Sequence, residues 1–290
     1  MSQLSAAPAT VGRSSRPRII MVLATLASLV LTALASIFAP AQAVTNGQPT
    51  GEQLFTNVGL FYVDGSSDPG VQLRPRCSLS VYAYKAAATA NHCVDFNGQD
   101  VWVTFDATRS ETPQVKDLLH GVAYESDSRN YLQGDYGAIV FDAPVDRPIM
   151  HFPHVGQLDH MFEDGTLQTA TITVVGYGAV DVVKGTRVRD LNRNYGTTVG
   201  NFQAINEFRL TLTQNEQKTG TPVGVCSGDS GGPEVLGGAT GHIQIGIVST
   251  GDQNCGNTNV MARLDTHEAL TFYSQFGPVW VHGHGPVMPH

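Results

Sequence analysis

Residues 228–233 of this 290-residue chain read GDSGGP and carry the strongest chemical signal in the sequence. A serine hydroxyl becomes a useful nucleophile when a base takes its proton and amide groups receive the oxyanion that its attack creates. The surrounding glycines let the backbone turn two N–H groups into one pocket, with no Cβ in the way of a substrate. We therefore predict that Ser230 is a nucleophile and that the N–H groups of Gly228 and Ser230 form an oxyanion hole.

The same letters also match G-x-S-x-G, the nucleophile elbow, which lies between a strand and a helix and has its histidine further along the chain. Pro233 and the glycines oppose a helix directly after Ser230, and residues 219–222 (TGTP) are typical of a loop. A glycine-rich turn without chemistry is the other alternative for so short a match. The flanking residues disfavour the elbow, and the partner residues described next disfavour the simple turn.

His92 is the candidate base for this serine. It lies in residues 89–93 (TANHC), at the end of the mostly apolar residues 86–90. A neutral imidazole near pH 7 can accept the serine proton and later give it to a leaving amine. Any of the ten histidines could instead be a solvated side chain, but the apolar run before His92 and the cysteine after it set this one apart.

Asp135 is the candidate acid. The residues that follow it, 136–141 (YGAIVF), are typical of a buried strand. A buried carboxylate beside His92 would hold the imidazole in the useful tautomer and stabilise the imidazolium. Asp142, at the far end of the same strand, is the main alternative, and a capping or turn role is open to either residue.

The chain from residue 44 onward is predicted to be all-β, because short stretches rich in β-branched and aromatic residues alternate with Gly, Asp, Asn and Pro. Residues 265–276 are the exception, since Asp265 or Thr266 can cap a helix whose apolar side chains share one face. The predicted strands are residues 58–63, 79–83, 101–105, 136–141, 170–175, 208–212 and 242–248.

Three other segments are predicted to be connections or ends. Residues 148–164, rich in turn formers and histidine, would connect two halves, and the polar residues 184–201 would form a surface loop. Residues 281–290 contain three histidines with Gly and Pro. We expect a frayed tail there, with weak metal binding as the less favoured alternative.

The first 43 residues are predicted to be an export signal. Three arginines precede an apolar run at residues 19–40, and residues 41–43 (AQA) fit the small-x-small pattern of cleavage after Ala43. An apolar run of about 20 residues can also span a bilayer, so an uncleaved membrane anchor is the alternative. Cleavage would leave 14 of the 17 basic and all 25 acidic side chains, a net charge of −11. Such an acidic surface argues against nucleic acid as a partner.

Four cysteines follow the leader, at positions 77, 93, 226 and 255. An even number in an exported chain predicts two disulfides, and three pairings are open. A zinc site is disfavoured, because the cysteines include no closely spaced C-x-x-C pair.

These motifs, and the order His, Asp, Ser, resemble the chymotrypsin family of serine proteases, above all compact secreted members from bacteria such as actinomycetes. Residues 174–178 (VVGYG) are similar to a run early in that family's second barrel, and residues 245–251 (IGIVSTG) to its strand along the substrate. The resemblance implies two antiparallel six-stranded Greek-key β-barrels, with the active site in the cleft between them and a C-terminal helix. The implied protease domain is residues 44–276, with barrels at about residues 44–150 and 165–264, a helix at 265–276 and a tail at 277–290.

The resemblance also implies where substrate binds. The primary pocket would have no acid at its base, so we expect cleavage after neutral, apolar residues. Ser249 would stand behind Asp135, and Gly251 would pair with the bound peptide as an added strand. The implied pocket residues are Gly224 at the base with Val225 beside it, and Ser249, Thr250 and Gly251 in the walls.

Two further features follow from the same resemblance. The implied disulfides are Cys77–Cys93 beside the base and Cys226–Cys255 beside the nucleophile. Cleavage after residue 43 would free the α-ammonium of Val44, which would fold inward and pair with Asp229. Export would then be the activating step.

Two positions depart from the family pattern: Leu79 stands where the family usually has glycine, and Asn91 replaces a small residue before the base. Both would crowd the site. We expect a secreted serine endopeptidase that uses a triad and an acyl-enzyme, and the alternative is a catalytically weak or silent homologue that binds peptides or proteins. We expect no cofactor and no metal. The expected partners are protein or peptide substrates and protein inhibitors, with no nucleic acid, no membrane after leader removal, and a monomeric state.

Overall fold

The computed structural model describes residues 44–66, 70–127, 134–214 and 223–288. The predicted leader, its cleavage site after Ala43 and its alternative as a membrane anchor all lie outside the described residues. Within the described ranges, no helix combines the length and the apolar character needed to cross a membrane.

Six strands in the first half of the chain close an antiparallel β-barrel. Nearly every side chain of residues 58–64, 77–83 and 86–89 is buried, which is why these strands are apolar runs in the sequence. The strands of this half are β1 (Gln48–Pro49), β2 (Val58–Asp64), β3 (Leu73–Ala83), β4 (Ala86–Thr89), β5 (Gln99–Thr104), β6 (Leu119–Glu125) and β7 (Gly137–Phe141). The barrel order is β2-β3-β4-β7-β6-β5.

Seven strands of the second half join β1 in a curled half-barrel of eight strands. The strands of the second half are β8 (Thr171–Gly176), β9 (Ala179–Val183), β10 (Thr186–Arg189), β11 (Asn194–Val199), β12 (Phe202–Ile205), β13 (Arg209–Thr213), β14 (Pro233–Leu236), β15 (Ile243–Gly251) and β16 (Thr258–Arg263). The sheet order is β1-β11-β8-β14-β15-β16-β13-β12, and β9 and β10 form a separate hairpin. Two short helices, α1 (Gln157–Glu163) and α2 (Thr166–Thr169), lie in the connection between the halves. The all-β, double-barrel fold class is therefore confirmed.

All seven stretches predicted as strands overlap an observed strand, but residues 184–201, predicted as a surface loop, contain β10 and β11. Within this polar segment Arg193 is fully buried. Its guanidinium donates to the carbonyls of Val58 and Phe105 in the first barrel, at 3.2 and 2.8 Å. Because it satisfies backbone acceptors in the interior, a charged residue here belongs to the core and the polar composition is misleading.

The predicted helix is present as α3 (His267–Ser274), shorter than residues 265–276 at both ends. Thr266 provides the cap, since its Oγ1 accepts a hydrogen bond from the N–H of Ala269 at 3.0 Å. The helix packs on the core of the first barrel. Tyr273 donates to the carbonyl of Thr89 at 3.3 Å and so braces the end of β4.

The C-terminal residues form a hairpin instead of the frayed tail expected from their composition. Its strands are β17 (Val279–Val281) and β18 (Gly285–Val287). Val279 and Val281 are buried in the core of the first barrel. The N–H of Phe152 donates to the carbonyl of Trp280, at 2.8 Å. The buried side chains of Val279 and Val281 and this backbone bond therefore fix the hairpin to the rest of the fold, despite the His and Gly residues between its strands.

Both expected disulfides are present, Cys77–Cys93 and Cys226–Cys255. The first joins β3 to the turn after β4. The second joins the loop before Ser230 to the loop between β15 and β16. Each therefore crosses the region where the candidate site residues lie.

Candidate active site

His92 lies in a 3₁₀ turn, Asn91–Cys93, that begins directly after β4. The Cys77–Cys93 disulfide ties this turn to β3. The N–H of Asn91 donates to the carbonyl of Asp135 at 3.2 Å, and the N–H of His92 donates to Asp135 Oδ1 at 2.9 Å. The turn therefore holds the imidazole in place through its backbone, while 37% of the His92 side chain remains exposed.

The carboxylate of Asp135 is fully buried and faces the imidazole. His92 Nδ1 lies 2.8 Å from Asp135 Oδ2. The hydroxyl of Ser249, on β15, donates to the same oxygen at 2.5 Å. With the backbone N–H of His92, these groups replace the water that burial removes from the carboxylate. Ser249 thus stands behind Asp135, where the sequence resemblance puts it.

Asp142, the alternative acid, lies at the other end of β7. Its side chain is 66% exposed, and its Oδ2 is 2.8 Å from Nδ1 of His120. The fold therefore brings Asp135 to His92 and leaves Asp142 on the surface.

At two positions in the loop that carries Ser230, the backbone has a conformation that only glycine adopts easily. Gly228 has φ +104° and Gly231 has φ +78°, and a Cβ on Gly228 would lie 2.9 Å from the Cα of Gly178. The carbonyl of Ser230 accepts from the N–H of Ser78 at 2.9 Å. Within the described ranges, neither Gly228 nor Ser230 uses its N–H in a hydrogen bond. Both donors are therefore available for a developing oxyanion.

Ser78 on β3 is a positioning residue that the sequence analysis missed. Its hydroxyl donates to the carbonyl of Gly228 at 3.0 Å and accepts from the N–H of Tyr177 at 3.1 Å. Together with its N–H bond to Ser230, it clamps the loop from the first barrel. The only sequence signal was its place between Cys77, a predicted disulfide cysteine, and Leu79, which departs from the family pattern.

Asp229, between the two proposed oxyanion donors, is also fully buried. Its Oδ1 accepts from the N–H of Gly178 and its Oδ2 from the N–H of Cys226, both at 2.9 Å. Burial nevertheless raises the pKa of Asp229 to about 7, because two amide dipoles do not replace a full solvation shell. This carboxyl group is therefore poised to accept a cationic partner.

The start of the described chain lies in the same region. The side chain of Val44 is buried in an apolar cluster that includes Val223 and Val225. Thr45 and Gly224 exchange backbone hydrogen bonds of 2.8 and 3.2 Å. The segment is therefore docked beside residues 223–226, and the N–H of Cys226 donates to Asp229.

A cavity of about 370 Å³ opens beside the nucleophile. Gly224, the implied base, does not line it: a side chain at this position would overlap Gln214, and its backbone is paired with Thr45. The candidate catalytic base His92 and the candidate nucleophile Ser230 both line the cavity. So do the other four expected pocket residues, Val225, Ser249, Thr250 and Gly251.

Two charged residues that were not predicted from the sequence, Asp252 and Arg187, also line the cavity. Burial would raise the pKa of Asp252, but hydrogen bonds from four backbone N–H groups of residues 254–258 outweigh it and hold the pKa below its usual value. That carboxylate is committed to its own loop. Arg187, from β10, is exposed at the cavity. It lies in residues 184–201, whose polar sequence predicted a surface loop and gave no sign of this location.

The two departures from the family pattern point away from the cavity. Leu79 is fully buried in the core of the first barrel. The Asn91 side chain lies against Ser126, with Nδ2 at 3.4 Å from its hydroxyl. Neither residue lines the cavity, so the expected crowding is absent from this structure.

Comparisons with known proteins agree with this architecture. The trypsin family model matches residues 47–268. A trypsin-like protease from Streptomyces glaucescens is 26% identical over 200 residues, covering 66% of this chain and 70% of that protein. A chymotrypsin from Phaedon cochleariae is also 26% identical over 200 residues, covering 66% and 69%. A solved structure of HL collagenase has a TM-score of 0.59 at 18% identity, covering 80% of this chain and 97% of the other, and it shows the shared fold. Because the family match spans both barrels and the site described above, this chain belongs to the trypsin family of serine proteases.

Proposed function

We propose that the chain is a secreted serine endopeptidase that cleaves peptide bonds through an acyl-enzyme on Ser230. The observation that supports this best is the hydrogen-bonded pair of His92 and buried Asp135, which shares one cavity with Ser230.

In the proposed reaction, Ser230 Oγ attacks the carbonyl carbon of the scissile bond while His92 Nε2 takes the hydroxyl proton. Asp135 stabilises the imidazolium, and the N–H groups of Gly228 and Ser230 receive the negative charge on the oxygen. When the C–N bond breaks, His92 gives its proton to the leaving amine, and Ser230 remains acylated. Water then attacks the ester with His92 again acting as base, and Ser230 recovers its proton.

A fluorophosphonate probe tests this function. We expect it to label Ser230 of the folded, mature chain covalently, because the same activation drives attack on phosphorus. Ser230→Ala and His92→Ala should each lower kcat by about a thousandfold or more. The double variant should be scarcely worse than either single variant, since the residues act as a unit.

Ser110→Ala is the matched control, since Ser110 is exposed and does not line the cavity. It should leave labelling and hydrolysis unchanged. Absence of labelling in folded wild-type protein would instead favour the peptide-binding, silent homologue.

We infer a preference for neutral, apolar residues before the cleaved bond. Val225 and Val248 line the cavity, and the carboxylate of Asp252 is held by backbone donors of its own loop. A free acid is what recognition of Lys or Arg requires.

Cleavage of a mixed peptide library should therefore occur mostly after apolar residues. Asp252→Asn should keep that preference, because its carboxylate is not offered to substrate. Efficient cleavage restricted to Lys and Arg, abolished by Asp252→Asn, would overturn this assignment.

We also propose that removal of the leader activates the enzyme. A free α-ammonium at Val44 would supply the cation that buried Asp229 lacks, and the ion pair would hold the oxyanion loop in shape. Breaking such a buried pair costs about 3 to 5 kcal/mol.

Two forms test this proposal: one that starts at Val44 and one that starts two residues earlier, at Gln42. The Val44 form should hydrolyse peptides faster, and N-terminal sequencing of secreted protein should give Val44 first. Equal activity of the two forms would refute the activation step while leaving the protease function standing.

The two forms should also differ in how stability depends on pH. Without an ammonium partner, Asp229 has a folded pKa raised from 3.8 to about 7, so the folded state binds more protons than the unfolded state in that window. The free energy of unfolding of the Gln42 form should therefore fall as pH rises from about 4 to about 7. In the Val44 form the ammonium holds the carboxylate charged, and urea unfolding across this range should show a smaller fall.

A further inference from the structure

Three histidines from three distant segments meet on the surface of the second half. His151 lies in the connection between the halves, His242 directly precedes β15, and His282 lies in the turn between β17 and β18. Each offers a ring nitrogen, and these nitrogens all lie within 4.8 Å of one another. We propose that His151, His242 and His282 bind a divalent transition-metal ion, with Zn²⁺ as the type ligand.

The backbone fixes the three segments relative to one another. The N–H of His151 donates to the carbonyl of His242, and the N–H of Gln244 donates to the carbonyl of His151, both at 2.8 Å. The N–H of His282 donates to the carbonyl of Phe152, also at 2.8 Å. The arrangement is therefore part of the hydrogen-bonded fold and does not depend on a chance approach of surface side chains.

The spacing suits a metal after small rotations of two side chains. In a tetrahedral zinc site with Zn–N bonds of about 2.0–2.1 Å, the ligand nitrogens lie about 3.3 Å apart. His242 and His282 are exposed, so their rings can turn inward by the remaining distance, whereas His151 is partly buried. Three imidazoles leave the fourth position of a tetrahedron open for water.

The chemistry of the cluster selects the class of ion. Its ligands are imidazole nitrogens, which suit Zn²⁺, Cu²⁺ and Ni²⁺, whereas Ca²⁺ and Mg²⁺ prefer oxygen.

The cluster lies outside the proposed catalytic machinery. None of its residues lines the cavity beside Ser230, and His282 lies beyond the residues that the family model matches. A bound ion would fasten the C-terminal hairpin both to the connection between the halves and to the segment that begins β15. Because an ion that binds only the folded state raises the free energy of unfolding, we expect the bound metal to stabilise the C-terminal hairpin against unfolding.

Zn²⁺ binding to the mature chain, purified without a histidine tag and treated with EDTA, tests the proposal. Calorimetry should show one bound Zn²⁺ per chain at this site, and Zn²⁺ should raise the Tm. His242→Gln and His282→Gln should each lower the affinity about tenfold or more and remove most of the rise in Tm. Co²⁺ should give the visible absorption of a tetrahedral nitrogen-ligated ion in wild-type protein and lose it in both variants.

His160→Gln is the matched control, because His160 is exposed on α1 and lies outside the cluster. It should bind Zn²⁺ like the wild type, and so should His92→Ala, which removes the imidazole of the active site. His242→Gln, His282→Gln and His160→Gln should have the wild-type Tm in EDTA, since all three substituted side chains are exposed. Failure of wild-type protein to bind Zn²⁺, or binding that neither His242→Gln nor His282→Gln weakens, would overturn the proposal and reduce the cluster to ring packing.

Discussion

The site depends on one carboxylate that lies in the protein interior. Asp135 has no exposed surface, and its oxygens lie within hydrogen-bond distance of the backbone N–H and Nδ1 of His92 and of the hydroxyl of Ser249. His92 and Asp135 belong to the first barrel, whereas Ser249 belongs to the second sheet. Because a buried charge that loses a donor is strongly destabilised, the barrels must meet in the one arrangement that supplies all three. The same arrangement places His92 and Ser230 in a common cavity.

A second buried carboxylate, Asp229, organises the other side of the cavity. Its side chain accepts hydrogen bonds from the N–H groups of Gly178 and Cys226, and these bonds fix the conformation of the loop that carries Gly228 and Ser230. Burial raises its pKa to about 7, although these amide donors and the charge of Arg189 act to lower it, and this is the physical reason to expect a closer cationic partner there. The first barrel braces this loop from outside through Ser78. Its geometry is thus determined by contacts from both halves of the chain.

The sequence could predict the features of the fold and of the candidate site that depend on residues close together in the chain. Apolar runs with β-branched side chains gave the position of seven strands, and the flanks of Asp135 distinguished it from Asp142. Contacts between distant segments were not accessible in this way. Ser78 acts on Gly228 across 150 positions of sequence, and Arg193 is buried because it meets carbonyls of another barrel. The C-terminal hairpin was missed since its anchoring depends on Phe152, far away in the chain.

Steady-state hydrolysis by Asp135→Asn and Asp142→Asn tests the central role of the buried carboxylate most directly. An amide at position 135 would turn an N–H₂ group toward His92 Nδ1 and favour the unproductive tautomer, so kcat should fall by about 10⁴ with little change in KM. Asp142→Asn alters only the exposed contact with His120 and should leave kcat within about twofold of wild type. With both variants folded as judged by circular dichroism, equal kcat values, or a larger loss at Asp142, would contradict the account.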